Sequence, residues 1–254
     1  MARRALITGA SSGLGAEYAR QVAAQGGDLV LVARDESALA SLATDIRGQY
    51  GVDVEPMVAD LLDADGLSRV VDRVSDADRP IGLLINNAGF GLPLAFESND
   101  IEDESRHLRL HVDVPMRLTH AALRAMLPHS GGRIINVASV AAFIPRSTYG
   151  ACKGWLVSFS RWANGRYASR GVTVTAVCPG FTHTNFHERM GLPPGEEGVA
   201  AWMWLDAERV VRESLRDAAR GKAVSVPSKR YAALVALTRL VPPSLAAKVG
   251  ESGR

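Results

Sequence analysis

Short, unbroken apolar runs alternate along the chain with longer stretches in which apolar positions recur every three or four residues. The runs predict strands near 3–8, 28–33, 52–58, 81–86, 133–138, 172–178 and 222–226. The periodic stretches predict helices over 14–25, 36–49, 65–76, 100–127 (as two helices), 150–169 and 203–219. Strands alternating with amphipathic helices form parallel βαβ units. The pattern therefore predicts an α/β fold with a doubly wound sheet. Right-handed crossovers then place a ligand crevice at the carboxyl ends of the strands.

Gly191, Pro193, Pro194, Gly195 and Gly198 mark the one shift in composition. This stretch reads either as an ordinary surface connection or as part of a substrate lid over about 182–220. A helical segment is expected over about 228–250. Its apolar part, 232–241, is interrupted by Thr238 and Arg239. It predicts a buried or interface helix, because a membrane span needs about eighteen apolar residues.

Composition narrows the function classes. The 254 residues are 47% hydrophobic and 22% charged, which suits a chain with a sizeable core. The 29 Lys and Arg residues nearly balance 27 Asp and Glu and are scattered, so there is no electrostatic footprint for nucleic acid. Two cysteines, Cys152 and Cys178, cannot build a disulfide framework, and a reducing cytoplasm is expected. The apolar run after Met1-Ala2-Arg3-Arg4 is too short for a signal-peptide core.

Candidate chemistry gathers at the predicted strand ends. The first strand runs into Thr8-Gly9-Ala10-Ser11-Ser12-Gly13-Leu14-Gly15 and then a helix. Glycines there allow a tight turn and bring backbone N–H groups and the positive helix end to a pyrophosphate. Arg34 follows the second strand, at the position that faces an adenine ribose. An arginine there pairs with a 2′-phosphate and points to NADP(H); the adjacent Asp35 is the competing acid that would select NAD. Asp60-Leu61 and Asn86-Asn87-Ala88-Gly89 end the third and fourth strands and line the same crevice.

Ser139 follows the fifth strand, and Tyr149 and Lys153 stand four apart on the next helix, on one face. A phenol near pH 10 is a poor proton-transfer group, and a nearby ammonium is expected to lower it. Tyr149 would then exchange a proton with a carbonyl or alcohol oxygen that Ser139 holds by a hydrogen bond.

Thr8–Gly15, Asn86–Gly89, Ser139, Tyr149–Lys153 and Pro179-Gly180 together resemble the short-chain dehydrogenase/reductase family in its classical form, over roughly residues 3–190. The resemblance implies a single Rossmann-type domain over 1–254, with a parallel seven-stranded sheet and helices on both faces. It implies a homodimer or homotetramer, with Ser139, Tyr149 and Lys153 catalytic and Lys153 also on the nicotinamide ribose. Gly9, Ser11, Ser12, Gly13, Leu14, Gly15, Arg34, Asp60, Leu61, Asn87, Ala88 and Gly89 would bind the cofactor. Pro179, Gly180 and Thr182 would lie beside its nicotinamide.

Two departures stand out. The family places an Asn, supporting a proton-relay water, where this chain has His111. Histidine exchanges protons near neutrality and either substitutes for that Asn or marks weakened catalysis. The interval from Ser139 to Tyr149, ten residues (149 − 139), is shorter than the family's usual one.

The remaining signals read mostly as structure. His107 with His111, and His183 with His187, have a spacing that can bind metal, but polar decoration of helices is the expected reading. Cys152 and Cys178 read as packing residues, and Trp155, Phe159 and Trp162 as a core or subunit-contact stripe. Phe90, Leu92, Phe143, Phe181, Phe186, Trp202 and Trp204 suggest apolar pocket surroundings and a hydrophobic carbonyl or alcohol substrate. The expectation is an NADP(H)-dependent oxidoreductase; a catalytically weak NADP(H)-binding regulator is the alternative.

Overall fold

The computed structural model of the protein describes residues 4–129, 131–144, 147–184 and 200–238. Seven parallel strands form one sheet in the order β3-β2-β1-β4-β5-β6-β7. They are β1 (Arg4–Thr8), β2 (Leu29–Ala33), β3 (Val54–Val58), β4 (Ile81–Asn86), β5 (Gly132–Val137), β6 (Val172–Val177) and β7 (Val224–Ser225). The helices are α1 (Gly13–Ala24), α2 (Glu36–Tyr50), α3 (Ala64–Ser75), α4 (Ile101–Leu108), α5 (Val114–Met126), α6 (Thr148–Tyr167), α7 (Ala207–Ala219) and α8 (Lys229–Thr238).

The apolar strands are buried on both faces, as a doubly wound sheet requires. Along β1, Ala5 and Ile7 enter the core shared with Tyr18, Leu39 and Val211, and so face α1, α2 and α7. Leu6 points the other way, among Val70, Leu118 and Ala163 of α3, α5 and α6. β2 repeats the division, with Leu29 and Leu31 on one face and Val30 and Val32 on the other. Strand order reverses between β1 and β4, and the crevice opens there at the carboxyl ends.

The predicted two-helix stretch over 100–127 forms without a break in winding. A π-helical turn, Arg109–Asp113, joins α4 to α5 and carries His111. Such turns widen the helix by one residue and are frequent at functional sites. Of the lid expected over about 182–220, residues 185–199 lie outside the described residues. Of its flanks, 182–184 and 200–206 run beside one another, and Ala207–Ala219 is the regular helix α7, packed on α1. The expected segment over 228–250 begins as α8, and 239–250 lie outside the described residues.

Candidate active site

The first βα turn is shaped to receive a phosphate. Gly9 and Gly13 have φ of +64° and +54°, which glycine adopts without strain. A Cβ on Gly15 would lie 2.1 Å from the Gly9 carbonyl oxygen, so the turn closes only on glycine. Asp35, Asp63, Asp100 and Ser147 each cap their helix by accepting a backbone N–H. Ser12 makes no such side-chain cap on α1. Helix termini attract anions, and among the described residues no side-chain cap takes the first amides of α1. These residues fit a dinucleotide pyrophosphate.

Thr8 and Asn87 hold that turn against β4. The Thr8 hydroxyl accepts the N–H groups of Asn87 and Ala88, both at 3.0 Å. The Asn87 amide donates to the Thr8 and Gly9 carbonyls at 3.0 and 3.2 Å. Asn87 therefore positions the phosphate turn. Leu61 is buried in the core, among Leu6, Val30 and Val32.

After β2, Arg34 is exposed, with Nη1 3.9 Å from Asp60 Oδ2. Asp60 Oδ1 accepts the Leu62 N–H at 2.9 Å. Asp35, the competing acid, instead caps α2, accepting the Ala38 N–H at 3.0 Å and the Ser37 hydroxyl at 2.9 Å.

The predicted catalytic side chains converge. Ser139 caps a short 3-10 turn, Val140–Phe143, at the start of the shortened interval to α6. Its hydroxyl hydrogen-bonds Tyr149. Lys153, one turn further along α6, is buried; its Nζ donates to the Val137 carbonyl at 2.7 Å and lies 5.5 Å from the Tyr149 ring centroid. Burial pushes Tyr149 up to about 12, with the Ser139 hydrogen bond opposing. This reverses the sequence expectation of a lowered phenol, because desolvation outweighs the Ser139 hydrogen bond. Burial also lowers Lys153 to about 8, with Cys152 and Cys178 opposing.

His111 is buried, with Nε2 2.7 Å from the Phe90 carbonyl oxygen and 3.2 Å from the Phe90 nitrogen. Its ring fills the space a Cβ on Gly89 would need, 2.4 Å from Cε1. His107 lies against it, the ring centroids 4.3 Å apart and the planes tilted by 42°, and both rings meet Tyr149. Neither histidine decorates the surface, contrary to expectation: they are 0% and 2% exposed, because the α4–π-turn face packs on α6. Burial first, then the Lys153 charge, holds His107 down to about 4 and His111 well below the usual imidazole range. A cavity of about 10 Å³, room for about one water molecule, is lined by Thr8, Asn86, His111 and Lys153 among others. No group of three metal-ligating side chains occurs among the described residues, and His187 and Phe186 lie outside them.

After β6, the Pro179 carbonyl accepts the Val140 N–H at 3.0 Å, tying this loop to the one that carries Ser139. The Thr182 hydroxyl donates to the Gly180 carbonyl at 2.9 Å. Cys152 and Cys178 are buried packing residues. Trp155 stacks on Phe159 at 4.8 Å, and Trp162 is 58% exposed. Nothing in the spacing marks Thr8 as organiser of the turn. Asn136, which accepts from Asn86 at 2.8 Å, was detectable as a lone polar residue inside an apolar run.

The sequence model of the family described as short chain dehydrogenase matches residues 3–192. The 3-oxoacyl-(acyl-carrier-protein) reductase of Synechocystis is 32% identical over 197 residues, covering 76% of this chain and 79% of that protein. A short-chain dehydrogenase from Sphingobium yanoikuyae, solved in complex with NADPH, is 34% identical with a TM-score of 0.83, covering 93% of each chain. A bulky-bulky ketone specific alcohol dehydrogenase from Comamonas testosteroni is 32% identical with a TM-score of 0.79, covering 93% of this chain and 92% of that one.

Proposed function

The chain belongs to the short chain dehydrogenase family of oxidoreductases, and on that premise we propose that it is an NADP(H)-dependent enzyme. Its reaction moves a hydride between the nicotinamide and a ketone, aldehyde or secondary alcohol of hydrophobic character. One observation carries this reading: the Ser139 hydroxyl bonds Tyr149 while Lys153, on the same face of α6, lies by its ring.

When bound, the nicotinamide supplies or takes up the hydride. In reduction, Tyr149 gives its proton to the oxygen that becomes the hydroxyl, and Ser139 holds that oxygen in place. Lys153 stabilises the phenolate left behind. The buried phenol is protonated at neutral pH, the form from which reduction starts. Ser139, Tyr149 and Lys153 are the catalytic residues in this scheme. His111 stands for the family's Asn beside a relay water in the small cavity.

NADP(H) preference is supported by an exposed Arg34 free to reach a 2′-phosphate and by Asp35 being engaged as a helix cap. The NADPH complex of the Sphingobium protein points the same way. Ser11, Ser12, Gly13, Leu14 and Gly15 would hold the pyrophosphate. A hydrophobic substrate is supported by Phe90, Phe143, Phe181 and Trp204 in the loops after β4, β5 and β6. The exposed Trp162 supports pairing of α6 with a second copy, which light scattering would show as a dimer or larger. NADPH oxidation with a panel of hydrophobic ketones and aldehydes tests the activity. Turnover by the native protein and about a hundredfold or greater loss in Tyr149→Phe is expected. NADPH binding without turnover would favour the regulator reading.

A further inference from the structure

We infer that Tyr231 is a positioning residue for the nicotinamide end of the site: it seats the Gly180–Phe181 turn and ties both ends of the β6–α7 crossover to α8. The inference rests on the cofactor reading above, and Tyr231 lies outside the residues 3–192 that match the family.

Tyr231 is 4% exposed. Its ring fills the space beside Gly180, where a Cβ would lie 2.1 Å from Cζ. Its hydroxyl accepts the Phe181 N–H at 3.2 Å and donates to the Met203 carbonyl at 2.9 Å. Those two groups come from opposite ends of the crossover. The ends also bond to each other, Leu205 N–H to the Phe181 carbonyl at 2.9 Å and His183 N–H to the Leu205 carbonyl at 3.0 Å.

The chemistry explains the residue type. A flat ring can lie against a glycine, and a phenolic hydroxyl both accepts and donates, so it meets one N–H and one C=O at once. Around it, Leu205 and Val210 form an apolar cluster joined by Leu14 of the phosphate turn and Val140 next to Ser139. One side chain thus sits where the phosphate turn, the catalytic loop and the nicotinamide loop meet. The entry of α8 is itself held. Ser228 has φ of 91°, a region that costs a non-glycine residue energy, and its N–H donates to Glu213 Oε2 at 2.9 Å.

The test separates positioning at the nicotinamide end from general support of the fold. 2′,5′-ADP carries the adenosine and its 2′-phosphate but no nicotinamide. Tyr231→Phe keeps the ring and deletes both hydroxyl bonds. Calorimetry should show NADPH affinity falling about tenfold while 2′,5′-ADP affinity stays within about twofold. Gly180→Ala, which drives a methyl into the ring, should show the same split. Equal weakening of both ligands, or no weakening in either single variant, overturns the inference. A native protein that binds neither ligand defeats the cofactor reading, and this one with it.

Discussion

One ring nitrogen of His111 serves both ends of a peptide residue: Nε2 lies 2.7 Å from the Phe90 carbonyl oxygen and 3.2 Å from the Phe90 nitrogen. A single nitrogen cannot donate and accept at the same time, so only one of these contacts is a hydrogen bond in either tautomer. An asparagine amide carries a separate donor and acceptor and can meet both. His111→Asn should therefore keep the β4–α4 loop in place and hold kcat within about threefold of native. His111→Ala leaves a part-buried peptide group unmet, at a cost of about 1 kcal/mol, and should lower both stability and kcat. Thermal unfolding and steady-state kinetics on the two variants check this; equal damage in both would refute it.

Arg34 is exposed, and among the described residues its ion pair is a long one, 3.9 Å to Asp60. Its guanidinium can therefore turn to a phosphate at little cost. Losing a charge-assisted contact of about 2 kcal/mol, Arg34→Ala should weaken NADPH binding roughly thirtyfold and leave NADH binding nearly unchanged. Paired binding titrations read the ratio directly, and an unchanged ratio would remove Arg34 from the cofactor site.

Two buried, neutral imidazoles make the fold sensitive to acid. His107 is held at about 4 against a usual 6.5, and His111 is also held low, burial being the main cause in both. The unfolded chain takes up these protons first as pH falls, so stability is full above about 6.5 and drains away toward pH 4. His107 alone contributes a loss of about 3 kcal/mol over that window. Unfolding free energies at pH 7 and pH 5 should differ clearly in the native protein and less in His107→Leu. An identical pH slope in the variant would contradict this origin.

The local parts of the site were legible in the sequence because local rules place them. Tyr149 and Lys153 share a face through helical periodicity alone, and Gly9 to Gly15 form a turn through glycine chemistry between a strand and a helix. The long-range parts were not. Thr8 and Asn87 meet across two neighbouring strands from positions 79 residues apart. His107 looks like a solvated helix position until α4 is packed on α6. The rise in the Tyr149 pKa needed burial, which no spacing reports. Tyr231 meets Gly180 only because the chain after β7 turns back over the crevice.

Transfer of isotope from cofactor to product tests the central claim most directly. The protein should be incubated with NADPH carrying deuterium at the transferable position of the nicotinamide and a hydrophobic aryl ketone, and the alcohol analysed by mass spectrometry. One deuterium on the carbinol carbon, formed by native protein and all but lost in Tyr149→Phe, is the predicted result. An alcohol without deuterium, or formed equally well by Tyr149→Phe, would contradict the account.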